Sequence, residues 1–88
     1  MADKTVNSSG VGTLPVSGPG VVSSVTVTDA AVLAGDKIIV TPTTSVADQN
    51  GPFGAYAEAS PDAGSFTVYA NKAQLPTAMT FNYIAVDY

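Results

Sequence analysis

The chain contains no cysteine, no histidine, no tryptophan and no arginine, and its only cations are Lys4, Lys37 and Lys72. Without cysteine there is no disulfide staple and no thiolate nucleophile, and without histidine there is no imidazole base or nitrogen ligand for structural zinc. Three lysines against seven acidic residues leave a net charge of −4, which offers phosphate backbones no basic patch and excludes nucleic acid as the expected partner. No apolar run approaches the roughly 20 residues of a membrane-spanning helix, so no membrane partner is expected. The start, Met1-Ala2-Asp3-Lys4, is unlike a signal peptide because no apolar segment follows it.

What is present fits one domain of 88 residues. A domain this small buries only about 60% of its unfolded surface. With disulfides unavailable and no convincing metal site, oligomerisation is the remaining common remedy, and an oligomer is expected.

The composition changes near Gly20. Residues 1–20 hold Ser8, Ser9, Gly10, Gly12, Pro15, Ser17, Gly18, Pro19 and Gly20 with few large apolar groups. This predicts an extended N-terminal arm lying against a partner, with Val11, Leu14 and Val16 as its anchors. Residues 21–88 form the expected domain. Strand patterning covers 21–28, 37–41, 53–58, 65–70 and 79–87, separated by turn-forming clusters such as Gly35-Asp36, Asp48-Gln49-Asn50-Gly51-Pro52 and Ser60-Pro61-Asp62-Ala63-Gly64. No helix is required. The fold class is all-β, a small antiparallel β-sandwich or jelly-roll-like barrel carrying the N-terminal arm.

Alternation breaks down in two places. Met79, Phe81, Tyr83 and Ala85 share one face of the last strand, yet the opposite face also turns apolar at Ile84 and Val86. Ile39 likewise points away from Ile38 and Val40. A solvated outer face would stay polar. Either both faces are covered within one two-sheet core or by a loop, or one of them is a subunit interface with Ile39, Ile84 and Val86 as candidate residues, and the two readings can coexist.

Chemistry-bearing motifs are scarce. Asp48-Gln49-Asn50-Gly51 echoes the opening of a calcium loop, but the twelfth position is Ala59 where a bidentate glutamate belongs, so the segment reads as a turn. Asp29, Asp36, Glu58 and Asp62 each sit in or beside a turn, where a carboxylate bonds its own backbone, and their spacing does not favour a catalytic pair. The serines have no histidine to activate them. The glycine-rich run 10–20 lacks the Gly-Lys-Ser/Thr ending of a phosphate loop. No catalytic residue, metal site or cofactor is assigned. Tyr56, Tyr69, Tyr83 and Tyr88, with Phe53, Phe66 and Phe81, read as core and cross-strand packing, with a carbohydrate platform as the alternative.

The segment from Val25-Thr26-Val27-Thr28-Asp29-Ala30-Ala31-Val32 through Gly35-Asp36-Lys37-Ile38-Ile39-Val40-Thr41-Pro42, followed by Gly54-Ala55-Tyr56-Ala57, Gly64-Ser65-Phe66-Thr67-Val68 and Phe81-Asn82-Tyr83-Ile84-Ala85-Val86, resembles a small β-sandwich domain of tailed-bacteriophage structural proteins. The resemblance spans roughly residues 21–88 and includes no catalytic signature. Together with the arm it is similar to capsid decoration, or cement, proteins. It implies a non-enzymatic virion protein on the capsid exterior, a homotrimer, with the major capsid protein as partner and the arm docked on the shell. The alternative it implies is a tail-fibre or spike tip module that binds host glycans through loops 43–52 and 71–78 and neighbouring tyrosines.

Overall fold

The computed structural model describes residues 5–48, 51–58 and 61–87. Eight strands follow one another: β1 (Thr5–Leu14), β2 (Val22–Thr28), β3 (Lys37–Pro42), β4 (Ala47–Asp48), β5 (Gly51–Pro52), β6 (Ala55–Ala57), β7 (Ser65–Ala73) and β8 (Met79–Asp87). They form two three-stranded antiparallel sheets, β1-β8-β3 (sheet A) and β2-β7-β6 (sheet B), with β4 and β5 as a separate two-stranded ribbon. β1 lies over β2, and β3 over β6. The architecture is the expected all-β class, two small sheets packed face to face.

Period-2 patterning decides which side chains meet between the sheets. From β8 come Met79, Phe81, Tyr83 and Ala85, and from β7 Phe66, Val68 and Ala70, all buried. Val25, Val27, Ile38 and Val40 pack against this cluster from β2 and β3. Phe66 and Tyr83 bridge the layers edge to face, with ring centroids 4.8 Å apart, the geometry that aromatic quadrupoles favour. The loops close the ends with Val32, Val46, Phe53 and Leu75.

The largest departure from the sequence reading is at the N-terminus. Thr5–Leu14, within the expected arm, is a ten-residue edge strand paired with β8 from Thr5↔Asp87 to Leu14↔Met79. Its glycines are an accommodation to neighbouring rings and not a sign of slack. A Cβ on Gly10 would lie 2.7 Å from the Tyr83 hydroxyl oxygen, and one on Gly12 would lie 2.5 Å from Phe81 Cζ. Both distances are impossible for real side chains, so the rings of β8 lie across the bare backbone of β1. Among the described residues, Thr5–Leu14 of the expected arm lies against the chain's own sheet. Residues 15–21 connect β1 to β2, and residues 1–4 and Tyr88 fall outside the described ones.

Smaller differences have local causes. β3 includes Pro42, tolerated because β3 is an edge strand. The loop expected at 43–52 contains the β4–β5 ribbon. The strand expected at 53–58 contracts to three residues because Phe53 turns into the core and Gly54 follows it. β7 runs three residues further than Ala70, and the 71–78 loop is correspondingly shorter.

Candidate functional site: the outer face of sheet A

The residues of sheet A that point away from the core form rows across its three strands. Val86 stands between Val6 and Lys37, Ile84 between Ser9 and Ile39, and Asn82 between Val11 and Thr41. The face therefore carries five aliphatic side chains, Val6, Val11, Ile39, Ile84 and Val86, on a surface where alternation would normally place polar ones. Val6, Val11 and Ile39 are 56%, 75% and 51% exposed, more than a packed second layer would leave. Among the described residues, then, no second layer covers Val6, Val11 and Ile39. Ile84 is half-buried and Val86 is buried beneath its neighbours.

Four of the six residues singled out from the sequence meet here. Val11, placed in the docking arm, shares the face with the interface candidates Ile39, Ile84 and Val86. The other two lie elsewhere. Leu14 points inward and is completely buried, so it is a core residue while β1 is in place. Val16 is exposed on the connection after β1. Val6 completes the patch and was missed; its signal, pairing with Val86 across strands, exists only once β1 is seen as a strand.

Two carboxylates fix β1, and with it one flank of this face. The loop from β2 to β3 presents Asp29 and Asp36 to β1. Asp36 is 2% exposed and accepts hydrogen bonds from Asn7 Nδ2 at 3.1 Å on each oxygen and from the Leu33 amide at 3.0 Å. Asp29 Oδ2 accepts from the hydroxyls of Ser8 and, at 2.7 Å, Tyr83, while Oδ1 accepts from the Ala31 amide at 3.0 Å. The Ser8 hydroxyl beside Asp29, then the Tyr83 hydroxyl and the Ala31 amide, hold its carboxyl below its usual value. Burial, reinforced by the hydrogen bond to Asp29 and its negative charge, pushes the Tyr83 phenol up to about 12. The cluster joins a serine, a carboxylate and a phenol, but every donor is committed to fastening a strand. Among the described residues, no three His, Cys, Asp or Glu side chains come together as they would to hold a metal.

The outer face of sheet B is built differently. Tyr56 stacks on its cross-strand partner Tyr69, centroids 5.6 Å apart and planes 28° from parallel. Beside them lie Ser24, opposite Tyr69, and the paired Thr26 and Thr67 hydroxyls at 3.3 Å. A third surface feature is a depression of about 250 Å³ between Pro42–Val46 and Pro52–Phe53. On the neighbouring strand, the Thr80 hydroxyl bonds those of Thr43, at 2.8 Å, and Thr44.

Comparison with protein-family models, curated proteins and solved structures finds no match for this chain. Any resemblance is therefore carried by the quoted residues alone.

Proposed function

We propose that this chain is a non-enzymatic structural protein of a phage virion, one that decorates and cements the capsid exterior as a homotrimer bound to the major capsid protein. The observation that carries the contact role is the aliphatic face of sheet A, where the exposed Val6, Val11 and Ile39 adjoin Ile84 and Val86. Contiguous apolar surface on a small domain is best explained by association. The phage setting comes from the resemblance of residues 21–88. In this reading Ile39 and Ile84 form the subunit contact, and Val11 with Val16 reaches the shell. Repetition of the contact over a symmetric particle multiplies individually weak contacts.

The test is the double substitution Ile39→Asp and Ile84→Asp, followed by light scattering and by occupancy of decoration-free particles of the same phage. Loss of the trimer and at least a tenfold drop in occupancy are expected. Wild-type trimer mass and full occupancy would overturn the proposal. A second reading, a fibre-tip module for host glycans, draws its support from the exposed Tyr56 stacked on Tyr69. It requires glycan-array binding that disappears in Tyr56→Ala while the protein stays folded.

A further inference from the structure

The slot that holds β1 is shaped for one particular sequence. Along β8 the rings of Tyr83 and Phe81 leave no room for a Cβ at Gly10 or Gly12. One residue pair further, the core takes Leu14 whole. At the other end Asp36 receives Asn7 and Asp29 receives Ser8. A strand that fills this slot must present Asn-Ser, then glycine twice with one residue between, then a large aliphatic. That pattern is β1 itself, and nothing in the slot distinguishes the β1 of the same chain from that of a second copy.

The attachment of β1 to its own domain is slight. The connection that follows carries Pro15, Gly18, Pro19 and Gly20. Its later part is pinned to the β7–β8 connection: the Ser17 amide donates to the Leu75 carbonyl at 3.1 Å, the Leu75 amide to Ser17 Oγ at 2.8 Å, and the Gln74 amide to the Val21 carbonyl at 2.8 Å. This leaves Pro15 and Val16 as a pivot between a pinned segment and the strand. Pro15 has no amide hydrogen to lose when the pivot opens. Among the hydrogen bonds of the described residues, the one crossing to the pivot runs from the Ser23 hydroxyl to the Pro15 carbonyl. Ten extended residues span about 33 Å, enough to lie along β8 of a neighbouring copy. β1 also carries no charge from Thr5 to Leu14, so the −4 charge of a second copy meets no like charge on the incoming strand.

We propose that β1 exchanges between copies, with β1 of one chain completing sheet A of another. Exchange remakes the same hydrogen bonds and the same core contacts, so closed and exchanged forms differ mainly at the pivot and in concentration. The exposed Val16, Val21 and Val22 around the connection are the apolar surface that two opened connections running together would cover. Exchange can proceed around a ring as well as within a pair. It rests on the reading of the chain as an assembling part, but its test does not involve the particle.

The native chain has no cysteine, so a disulfide reports the exchange directly. Val11 and Asn82 are directly opposed across β1 and β8, a spacing a disulfide bridges. A Val11→Cys chain and an Asn82→Cys chain with a size tag are unfolded, refolded together at high concentration and oxidised. The expected product is the mixed disulfide dimer, at least tenfold in excess over either like-with-like dimer. The double variant in one chain, oxidised at high dilution, should close within the monomer and certifies that the pair is in register. Closure in that control, with no excess of mixed dimer after joint refolding, would overturn the proposal. Full particle occupancy by the Ile39→Asp, Ile84→Asp chain, with the mixed dimer formed here, would instead count against the capsid reading alone.

Discussion

The two outer faces of this sandwich obey the same alternation and end with opposite surfaces. On sheet B the outward positions of β2 and β7 include Ser24, Thr26, Thr28, Ser65 and Thr67, with the tyrosine pair at one flank and the exposed Val22 at the end of β2. On sheet A the corresponding positions include Val6, Val11, Ile39, Ile84 and Val86. Hydroxyls keep their water when the sheet forms, whereas exposed aliphatics gain by losing it. Each sheet has one core-facing side, so the difference does not arise from stability of the isolated domain. It separates a face lined mainly by hydroxyls from one lined largely by aliphatics.

The contrast breaks most completely if β1 is lost, because β1 supplies two of the five aliphatics. Gly12→Val forces a branched side chain into the Phe81 ring, where even one carbon would sit at 2.5 Å. Overpacking of this kind costs about 1–3 kcal/mol and more when the backbone must move. The expected result is the largest fall in the urea midpoint of any variant considered. The same change at Gly18, which has open space around it, should leave the midpoint nearly unchanged.

Next in size is the polar fastening. Tyr83→Phe removes a hydrogen bond to a carboxylate and should cost about 1.5–3 kcal/mol. It should also remove an alkaline limb from the stability profile. Because the folded phenol is raised to about 12 from an unfolded value near 10, its contribution is complete below about pH 10. That contribution disappears as pH climbs through the folded value. Asp29 acts in the opposite direction: its folded value is lowered, so its contribution is complete above the unfolded value of about 3.9. It is lost as pH falls through the lowered folded value. Urea titrations at several pH values check both limbs, and Ser8→Ala should weaken the acidic one.

The smallest effect sharpens the contrast from the other side. Tyr56→Ala removes one stacked cross-strand pair and should cost about 0.5–1.5 kcal/mol. It should leave association untouched, while Ile39→Asp, on an equally exposed position of sheet A, should change association with little loss of stability. Equal effects of the two on sedimentation would erase the distinction between the faces.

Much of sheet A and sheet B could be read in the chain itself. β8 runs from Met79 to Asp87 as its alternation indicates, with Met79, Phe81, Tyr83 and Ala85 inward, and Ile39 stands opposite Ile38 and Val40. These positions report their environment through period 2 alone. β1 could not be read in this way. Ser8, Gly10 and Gly12 look like part of an extended arm docked on a partner, and their reason lies in Asp29, Phe81 and Tyr83, far along the sequence. Local propensity was overruled by a tertiary fit, as happens where a glycine makes room for a ring. Leu14 was misplaced for the same reason: an aliphatic in an apparent tail looks like an anchor for something else, and only pairing with Met79 turns it inward.

The strand order of sheet A also governs how the protein can be made. β8 is the middle strand and pairs with both β1 and β3, yet it is synthesised after the other seven. At translation rates of about 5–20 residues per second, β1 leaves the ribosome several seconds before its partner exists. Sheet A therefore cannot begin to close until β8 has been made, and its closure waits on the distant pairing of Thr5 with Asp87, the kind of contact that slows folding. Where many copies are made on one messenger, each nascent β1 spends that interval without its own β8.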